Sequence, residues 1–326
     1  MNQGNSNTID ISTEICGIKF PSCIMNASGV RCTTLEELIA IKNSKAGAIV
    51  TKSITKELII GNPEPRYYDF GLGSINSTGL ANPGVVKAKE ILYELRYKGN
   101  CIDYSKPLIV SLAGMHFMDF ILMIEFLKDL EVDMFELNVS CPNIIGNKRL
   151  LAYDLLGLEN VLSSVTSYVH ELCKKGFKAK IGLKLPPYQP YEIEEVAKMI
   201  KRYRIDFITT INSGFGLVID KQKTAIKPNK GRGGLGGSCI KPIALANIQQ
   251  FHELLDIPII GVGGISTEED IFEHILCGAS AVQIGTYFQR YGTYVFEWLE
   301  NDLKRFMAMK RYKSINDFRG KLKNYE

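Results

Sequence analysis

Several features that mark common protein classes are missing from this chain of 326 residues. No run of about 18 consecutive apolar residues occurs, so no membrane-spanning helix is expected. The first residues are polar and are followed by no apolar signal-peptide core, and none of the eight cysteines forms a Cys-x-x-Cys pair. We therefore expect a cytoplasmic protein whose cysteines remain free thiols in a reducing compartment.

The charge balance and the histidines exclude further classes. The chain has 39 basic and 35 acidic residues, and a net charge of +4 is too small to favour nucleic acid as a partner. The four histidines show no i, i+4 pairing and no acidic companion, so we predict no metal site. A Gly-x-Ser-x-Gly motif is also absent, which argues against a serine hydrolase.

What the sequence does contain is a regular alternation of short apolar runs and amphipathic segments. Continuous apolar runs are typical of parallel strands buried on both faces. The eight runs are 23–27, 48–52, 108–112, 134–138, 180–184, 207–211, 257–261 and 281–285. The predicted helices are 34–43, 118–130, 158–174, 192–204, 242–255 and 267–276. This alternation predicts one domain, residues 1–326, folded as a (β/α)8 TIM barrel.

A doubly wound open sheet is the competing architecture. That fold usually carries Gly-x-Gly-x-x-Gly directly after its first strand. Here the first run continues into Asn26-Ala27-Ser28-Gly29-Val30, which lacks this spacing. The barrel is therefore the preferred prediction.

Three segments do not fit a simple barrel repeat. Residues 9–20 alternate around Cys16-Gly17 and predict an N-terminal hairpin that closes the floor of the barrel. The connections 53–82 and 213–237 are long, and long ordered loops on a barrel usually build the active site. Within 213–237 we predict an antiparallel insertion, with strands at 217–220 and 224–226 before a glycine-rich end.

Polar and reactive residues follow the predicted strands. Asn26 and Ser28 follow the first, Lys52-Ser53 the second, and Asn212-Ser213 the sixth. The fourth strand leads into Asn138-Val139-Ser140-Cys141-Pro142-Asn143. Because the carboxyl ends of barrel strands meet at one face, these side chains are expected to surround a single site.

Lys52 and Lys184 each lie at the end of an otherwise apolar run. A buried ammonium group is costly unless an anion lies beside it. That anion could be a bound ligand or a protein carboxylate, for which Glu136 in the fourth run is the nearest candidate. The position of both lysines at the predicted barrel mouth favours a ligand.

Glycine pairs follow the last two strands. Glycine lets backbone N–H groups approach an anion closely, and barrels often hold a phosphate after strands seven and eight. Gly236-Gly237, Gly263-Gly264 and Gly285-Thr286 therefore predict a phosphate cradle, although each pair alone is also compatible with an ordinary turn.

Ten motifs in a constant order carry a family resemblance. They are Asn26-Ala27-Ser28-Gly29, Thr51-Lys52-Ser53, Gly61-Asn62-Pro63-Glu64-Pro65-Arg66-Tyr67, Ser74-Ile75-Asn76-Ser77, Glu136-Leu137-Asn138-Val139-Ser140-Cys141-Pro142-Asn143, Leu183-Lys184-Leu185-Pro186-Pro187-Tyr188, Ile211-Asn212-Ser213, Ile226-Lys227-Pro228, Gly233-Gly234-Leu235-Gly236-Gly237 and Gln283-Ile284-Gly285-Thr286. Over about residues 15–306 the chain resembles the dihydroorotate dehydrogenases, and among them the soluble, fumarate-using class 1A.

The resemblance implies FMN-dependent oxidation of (S)-dihydroorotate to orotate in pyrimidine biosynthesis, with fumarate reduced to succinate. Cys141 matches the base that removes the C5 proton while hydride leaves C6 for flavin N5, and Ser140 and Lys52 complete the catalytic set. The implied substrate contacts are Lys52, Asn76, Gly79, Leu80, Asn138, Asn143, Asn212 and Ser213. The implied cofactor contacts are Ala27, Ser28, Lys52, Ser53, Asn138, Lys184, Ile211, Gly236, Gly237, Gly263, Gly264, Gly285 and Thr286.

Other activities stay open at this point. A class 1B catalytic subunit would pass electrons through an iron–sulfur partner to NAD, although Glu64 favours class 1A. A related flavoenzyme could act on dihydrouracil, and a barrel could bind FMN without catalysis. Thr78 stands where an apolar residue is expected, Ala81 replaces a proline, and 212–216 is one residue short, so fine specificity is undetermined. The homodimer is likewise an implication of the resemblance.

Overall fold

The computed structural model describes residues 9–97, 106–140, 150–219 and 232–323. The strands in these ranges are β1 (Thr13–Ile15), β2 (Ile18–Phe20), β3 (Ile24–Asn26), β4 (Ile49–Val50), β5 (Tyr67–Asp69), β6 (Ser74–Asn76), β7 (Leu108–Leu112), β8 (Met134–Asn138), β9 (Lys180–Leu185), β10 (Phe207–Thr210), β11 (Gly214–Leu217), β12 (Arg232–Gly236), β13 (Ile259–Val262) and β14 (Ala281–Ile284). The helices are α1 (Leu35–Lys42), α2 (Gly84–Tyr97), α3 (Phe117–Leu127), α4 (Leu155–Cys173), α5 (Pro190–Tyr203), α6 (Lys241–Leu254), α7 (Glu268–Leu276), α8 (Thr286–Tyr291) and α9 (Tyr294–Met309).

The central sheet of the described residues has eight parallel strands in the order β3-β14-β13-β10-β9-β8-β7-β4. Consecutive strands of the chain are joined by helices that pack on the outside, and the strands themselves are buried on both faces. The predicted (β/α)8 TIM barrel is confirmed. Each predicted strand coincides with an observed one to within two residues. Shifts of two residues occur at the end of β4 and at the start of β13, where Pro258 has no N–H to donate to the ladder.

The seam between β3 and β4 is closed by a side chain. The amide of Asn26, which is fully buried, donates to the carbonyl of Val50 at 2.7 Å and accepts from the Val50 N–H at 3.0 Å. The Gly47 N–H adds a backbone bond to the Ile24 carbonyl at 2.7 Å. A side-chain amide can replace a ladder partner because it offers a donor and an acceptor together.

Replacing Asn26 with alanine is expected to open this seam. Both polar groups of Val50 would lose their partner inside the core, and each unsatisfied buried group costs about 1–3 kcal/mol. We expect the free energy of unfolding to fall by about 2–4 kcal/mol in urea titrations. Asn160→Ala, on the exposed side of α4, is the matched control and should change stability little. Equal stabilities of the two variants would contradict the role of Asn26.

The predicted N-terminal hairpin is present as β1 and β2, which pair antiparallel. The Thr13 hydroxyl donates to the Ser280 carbonyl at 2.9 Å, and the Cys16 thiol donates to the Asp206 carbonyl at 3.2 Å. Both acceptors lie just before barrel strands begin, at Ala281 and Phe207. The hairpin therefore covers the amino ends of the strands, opposite the predicted active-site face.

Helices that the sequence patterns left unassigned complete the outer layer. Helix α2 lies at the end of the long connection after β6, and α8 and α9 follow the last barrel strand. Helix α9 buries Val295, Phe296, Leu299, Leu303 and Met307. Arg305 on the same helix is exposed, so α9 packs through its apolar side and presents this charge to solvent.

The two long connections meet in one antiparallel sheet with the order β11-β12-β6-β5. The strands inside 213–237 differ from the prediction: β11 begins at Gly214, and its partner is the glycine-rich β12. The predicted strand at 224–226 and residue 220 lie outside the described residues. Glycine is needed in β12 because a Cβ at Gly233 would lie 2.2 Å from the carbonyl oxygen of Asn76 on the neighbouring β6.

Candidate active site

A cavity of about 370 Å³ opens at the carboxyl ends of the barrel strands, beside the antiparallel sheet. Nearly all of the predicted site residues line it, although they come from distant parts of the chain. They are Ala27, Ser28, Lys52, Ser53, Asn76, Leu80, Asn138, Lys184, Ile211, Asn212, Ser213, Gly236, Gly237, Gly263, Gly264, Gly285 and Thr286. This is the face at which barrel enzymes place their active sites.

Four predicted residues are not among those that line the cavity. Ser140 is buried behind it, and Gly79 packs against Asn62 of the preceding loop. Cys141 and Asn143 lie outside the described residues, so the position of the predicted base relative to the cavity stays a prediction.

Asn138 is the centre of a hydrogen-bond network across the cavity wall. It ends β8, and its Nδ2 donates to the Ser53 hydroxyl at 2.9 Å. The Ser53 hydroxyl is also 2.9 Å from that of Ser111 and 3.2 Å from that of Ser28. Because each hydroxyl lies within hydrogen-bond distance of another polar side chain, these side chains hold one another in place.

The same asparagine fixes the residue that precedes Cys141. Its Oδ1 accepts from the Ser140 N–H at 3.1 Å and from the Ser140 hydroxyl at 3.0 Å. Nδ2 of Asn212, which follows β10, donates to the Ser140 hydroxyl at 2.9 Å. Ser140 is therefore held from two strand ends.

Lys184 on β9 lies in the cavity floor with only 3% of its side chain exposed. Its Nζ is 3.9 Å from Oε1 of Glu136 and donates to Oε1 of Gln283 at 3.4 Å. Lys184 is therefore compatible with both anions considered from the sequence, a protein carboxylate and a bound ligand. Its ammonium group has the Glu136 carboxylate nearby, and the residue also lines the cavity.

The glycine wall of the cavity depends on left-handed backbone conformations. Gly263 and Gly264 have φ of +120° and +85°, and a Cβ on Gly264 would lie 2.4 Å from Cβ of Lys241. At Gly285 the nearest atom to an added Cβ would be Cβ of Ala27, 3.8 Å away, so a side chain there would enter the cavity. Because glycine has no side chain, these residues leave their backbone accessible from the cavity along this wall.

Two residues of α7 hold the loop that carries Gly263 and Gly264. The His274 ring is fully buried, with Nδ1 2.7 Å from the Asp270 carbonyl and Nε2 3.1 Å from the Gly263 carbonyl. Burial lowers the pKa of His274, and the hydrogen bonds to the Asp270 and Gly263 carbonyls oppose this shift. The Asp270 carboxylate accepts from the N–H groups of Ser266 and Thr267 and from Lys241 at 2.7 Å.

Asp270→Asn is expected to destabilise the protein by about 1–3 kcal/mol at neutral pH, since charge-assisted hydrogen bonds are lost. Burial raises the pKa of Asp270, but the Lys241 ammonium and the Ser266 and Thr267 amides outweigh burial and hold the pKa below its ordinary value. A depressed pKa stabilises the fold above the unfolded value of about 3.9, and this stabilisation is lost as the pH falls through the folded pKa. The difference in unfolding free energy should therefore shrink below about pH 4. A pH-independent difference would contradict this assignment, and Asp302→Asn, in an exposed pair with Arg305, is the control.

Other residues that line the cavity were not among the predicted site residues. They are Gly29, Val30, Glu64, Arg66, Tyr67, Ser74, Thr78, Ile240, Val262, Ile265, Gln283 and Gln289. The sequence could have indicated Gln283 as a site residue, because it is a polar residue inside an apolar strand. Tyr67 and Ser74 belong to the family motifs, but no local pattern assigned them to the site, and they reach the cavity because β5 and β6 join the sheet beside it.

Two structural features are absent from the ranges that the structure describes. No group of three or more His, Cys, Asp or Glu side chains in those ranges is arranged to hold a metal ion. Among the same residues, no helix combines the length and the apolar character needed to span a bilayer.

Comparison with known proteins places this site in a family. The family model described as "Dihydroorotate dehydrogenase" matches residues 10–307. A relative from Streptococcus agalactiae, named putative dihydroorotate dehydrogenase A (fumarate), is 43% identical over 97% of this chain and 99% of its own length. A relative from Streptococcus pneumoniae, named probable dihydroorotate dehydrogenase A (fumarate), is 41% identical over 97% of this chain and 99% of its own.

Solved structures agree at the level of the fold. The ligand-free DHODH of Eimeria tenella superposes with a TM-score of 0.83 at 19% identity, covering 97% of this chain and 93% of the other. The same protein in complex with ferulenol gives a TM-score of 0.82, covering 97% and 89%. With the family match over nearly the whole chain, these comparisons show that the chain belongs to the dihydroorotate dehydrogenase family, a family of flavin-dependent oxidoreductases.

Proposed function

We propose that this chain oxidises (S)-dihydroorotate to orotate in pyrimidine biosynthesis and passes the electrons to fumarate. The observation that carries the proposal is the cavity, in which Lys52, Lys184 and three asparagines meet at the carboxyl face of the barrel. A planar, anionic ring with amide groups is complementary to such a wall of cations and amides. The names of the relatives that are 41–43% identical support the same reaction and acceptor.

The cavity residues fit FMN as the flavin. A buried ammonium group on the floor and open space over Gly285 suit a group that has a phosphate and a ring system on which negative charge develops on reduction. We assign the ring to Ala27, Ser28, Lys52, Ser53, Asn138, Lys184 and Ile211. We assign the phosphate to Gly236, Gly237, Gly263, Gly264, Gly285 and Thr286. Bound FMN supplies a hydride acceptor that the side chains themselves lack.

Three asparagine side chains are suited to bind the substrate. Asn76 on β6, Asn138 on β8 and Asn212 after β10 all line the cavity and offer donors and acceptors to a cyclic diamide. Lys52 would pair with the substrate carboxylate, with Gly79, Leu80 and Ser213 beside it. Asn143 belongs to the same proposed set by its place in the sequence.

For the base we propose Cys141, one residue after the anchored Ser140. A C–H proton is weakly acidic, so its removal needs a positioned base in a site from which water is excluded. The Ser140 hydroxyl donates to Asn138 and accepts from Asn212, and these bonds support a fixed position for the residue that precedes the thiol. Ser140 itself can orient or relay the proton through its hydroxyl group.

The test is anaerobic reduction followed by reoxidation with one acceptor at a time. Purified protein should carry FMN and should lose its flavin absorbance with dihydroorotate, but not with dihydrouracil. Fumarate should then restore the oxidised spectrum faster than a soluble quinone or NAD. Reoxidation by NAD only after addition of an iron–sulfur partner would instead support the class 1B alternative, and a flavin that dihydroorotate leaves oxidised would support a non-catalytic binding protein.

We also propose a cytoplasmic homodimer. Phe215, Leu217 and Ile219 occupy alternate positions in and after β11, and their side chains are exposed in the single chain. A row of exposed apolar side chains is suited to self-association. Sedimentation of the purified protein at two concentrations tests the dimer, and fractionation of cells tests the location.

A further inference from the structure

Glu136, Lys184 and Gln283 form a buried polar layer directly below the cavity. They lie on β8, β9 and β14, so the Gln283 side chain crosses the barrel interior to reach the other two. Glu136 and Gln283 are fully buried, and Lys184 is 3% exposed. Lys184 and Gln283 line the cavity, whereas Glu136 does not, which places the carboxylate behind the other two side chains.

The chemistry of the three groups determines how they are linked. Nζ of Lys184 can only donate, and the carboxylate of an ionised Glu136 can only accept. The Gln283 amide therefore turns its Oε1 to Lys184 at 3.4 Å and its Nε2 to Oε2 of Glu136 at 3.2 Å. The amide thus holds the ammonium and the carboxylate in a fixed relation.

The pair is too poorly satisfied to be explained by stability. Oε1 of Glu136 has no hydrogen-bond partner among the described residues, and its distance from Nζ of Lys184 is 3.9 Å, beyond hydrogen-bond range. A buried ion pair with an unsatisfied oxygen contributes little net stability, and apolar residues of similar volume would serve a core as well. A carboxylate in this position therefore calls for another role.

We propose that Glu136 is a positioning residue that acts through Lys184 and Gln283 to set the charge experienced by the flavin in the cavity above. The inference rests on the proposed function, since it needs a flavin beside Lys184. Gln283 holds the ammonium toward the cavity, and Glu136 offsets part of its positive charge. Gln283 thereby helps the ammonium group to stabilise negative charge on the flavin ring, and Glu136 reduces this stabilisation. Both effects are large because electrostatic interactions are little screened in a buried site.

The direction of each effect follows from charge. Glu136→Gln removes the carboxylate but keeps the shape, so the ammonium should stabilise the reduced, more negative flavin more strongly. We expect the midpoint potential to become more positive, with about a tenfold rise in the equilibrium ratio of reduced to oxidised flavin, or about 30 mV for a two-electron couple. Lys184→Met should shift the potential in the opposite direction.

The experiment is a double-mutant cycle on FMN-loaded protein, with the midpoint potential measured by equilibration against a reference dye. Wild type, Glu136→Gln, Lys184→Met and the double variant are compared. The proposal expects that Glu136→Gln raises the potential in the wild-type background and changes it less when Lys184 is already methionine. The reason is that Glu136 draws the ammonium group below the cavity floor, and this part of its effect needs the lysine. The same shift in both backgrounds, or no shift in either, would overturn it.

Two further variants keep the test decisive. Gln283→Leu leaves both charges in place and releases the ammonium, so it should weaken FMN binding several-fold, and unchanged affinity would overturn the positioning role. This readout also decides the matter if Glu136→Gln does not fold. Glu195→Gln makes the same chemical change in an exposed pair with Lys198 on α5 and should leave the potential unchanged.

Failure of this inference differs visibly from failure of the proposed function. Wild-type protein that holds no flavin, or flavin that dihydroorotate does not reduce, would overturn the proposed function and the inference with it. A wild-type protein that is reduced by dihydroorotate, together with an unchanged potential in Glu136→Gln, would overturn only the role of Glu136.

Discussion

Cys141→Ala is expected to retain FMN and to lose most of its reduction by dihydroorotate. General-base catalysis contributes typically about 10²–10⁴-fold to a proton abstraction, and alanine has no group that can accept the proton. The residues assigned to flavin binding are unchanged in this variant, so its flavin content should match that of the wild type. Anaerobic stopped-flow mixing with dihydroorotate, followed at the flavin absorbance, measures the rate.

The control for this prediction is another cysteine. Cys173 ends α4 and is exposed, so Cys173→Ala removes a thiol far from the cavity and should be reduced at the wild-type rate. Full-rate reduction of Cys141→Ala would rule out the cysteine as the base. Loss of the flavin itself would show that this segment contributes to binding, and the slow rate could then no longer be attributed to proton removal.

Lys184→Met is expected to lower the free energy of unfolding by about 3–5 kcal/mol and to weaken FMN binding. Glu136 would be left as a buried carboxylate without a counter-charge, and removing one partner of a buried pair costs far more than the pair contributes. The flavin would lose the cation on the cavity floor at the same time. Urea unfolding of the apoprotein measures the first effect, and titration with FMN measures the second.

A lysine in an exposed pair provides the comparison. Lys198 on α5 is 2.6 Å from Glu195, and both side chains are about half exposed or more. Exposed pairs contribute about 0–1 kcal/mol, so Lys198→Met should be nearly neutral. If Lys184→Met were as stable as Lys198→Met and bound FMN with wild-type affinity, Lys184 would be neither paired in the core nor in contact with the flavin.

Much of the barrel was predictable because its strands carry a strong local signal. A strand covered by helices on one side and by the barrel interior on the other must be apolar throughout, and runs such as 108–112 and 134–138 coincide with β7 and β8. Helix α2 was harder to predict, because it begins inside a connection whose glycines and prolines mask its start. The strands of 213–237 were displaced because glycine, a poor strand former in isolation, is required where β12 passes close to β6.

The candidate site was predictable where chemistry coincided with strand ends. Asn138, Lys184 and Asn212 each end or directly follow a barrel strand, and parallel strands bring their carboxyl ends to one face. Tyr67 and Ser74 gave no such signal, since they reach the cavity only through pairing between segments more than 150 residues apart. The base Cys141 remains a prediction from the sequence.

By itself, then, the sequence determined the barrel, its hairpin floor and the set of residues around its mouth, because these depend on local periodicity and on the order of the motifs. Only the tertiary structure decided how the two long connections combine into one sheet beside the cavity. It also showed that Lys184 both lines the cavity and has a buried carboxylate beside it. The partners of that lysine lie on β8 and β14, at positions 136 and 283. No local pattern specifies which side chains meet inside a closed barrel, since that depends on the register of all its strands.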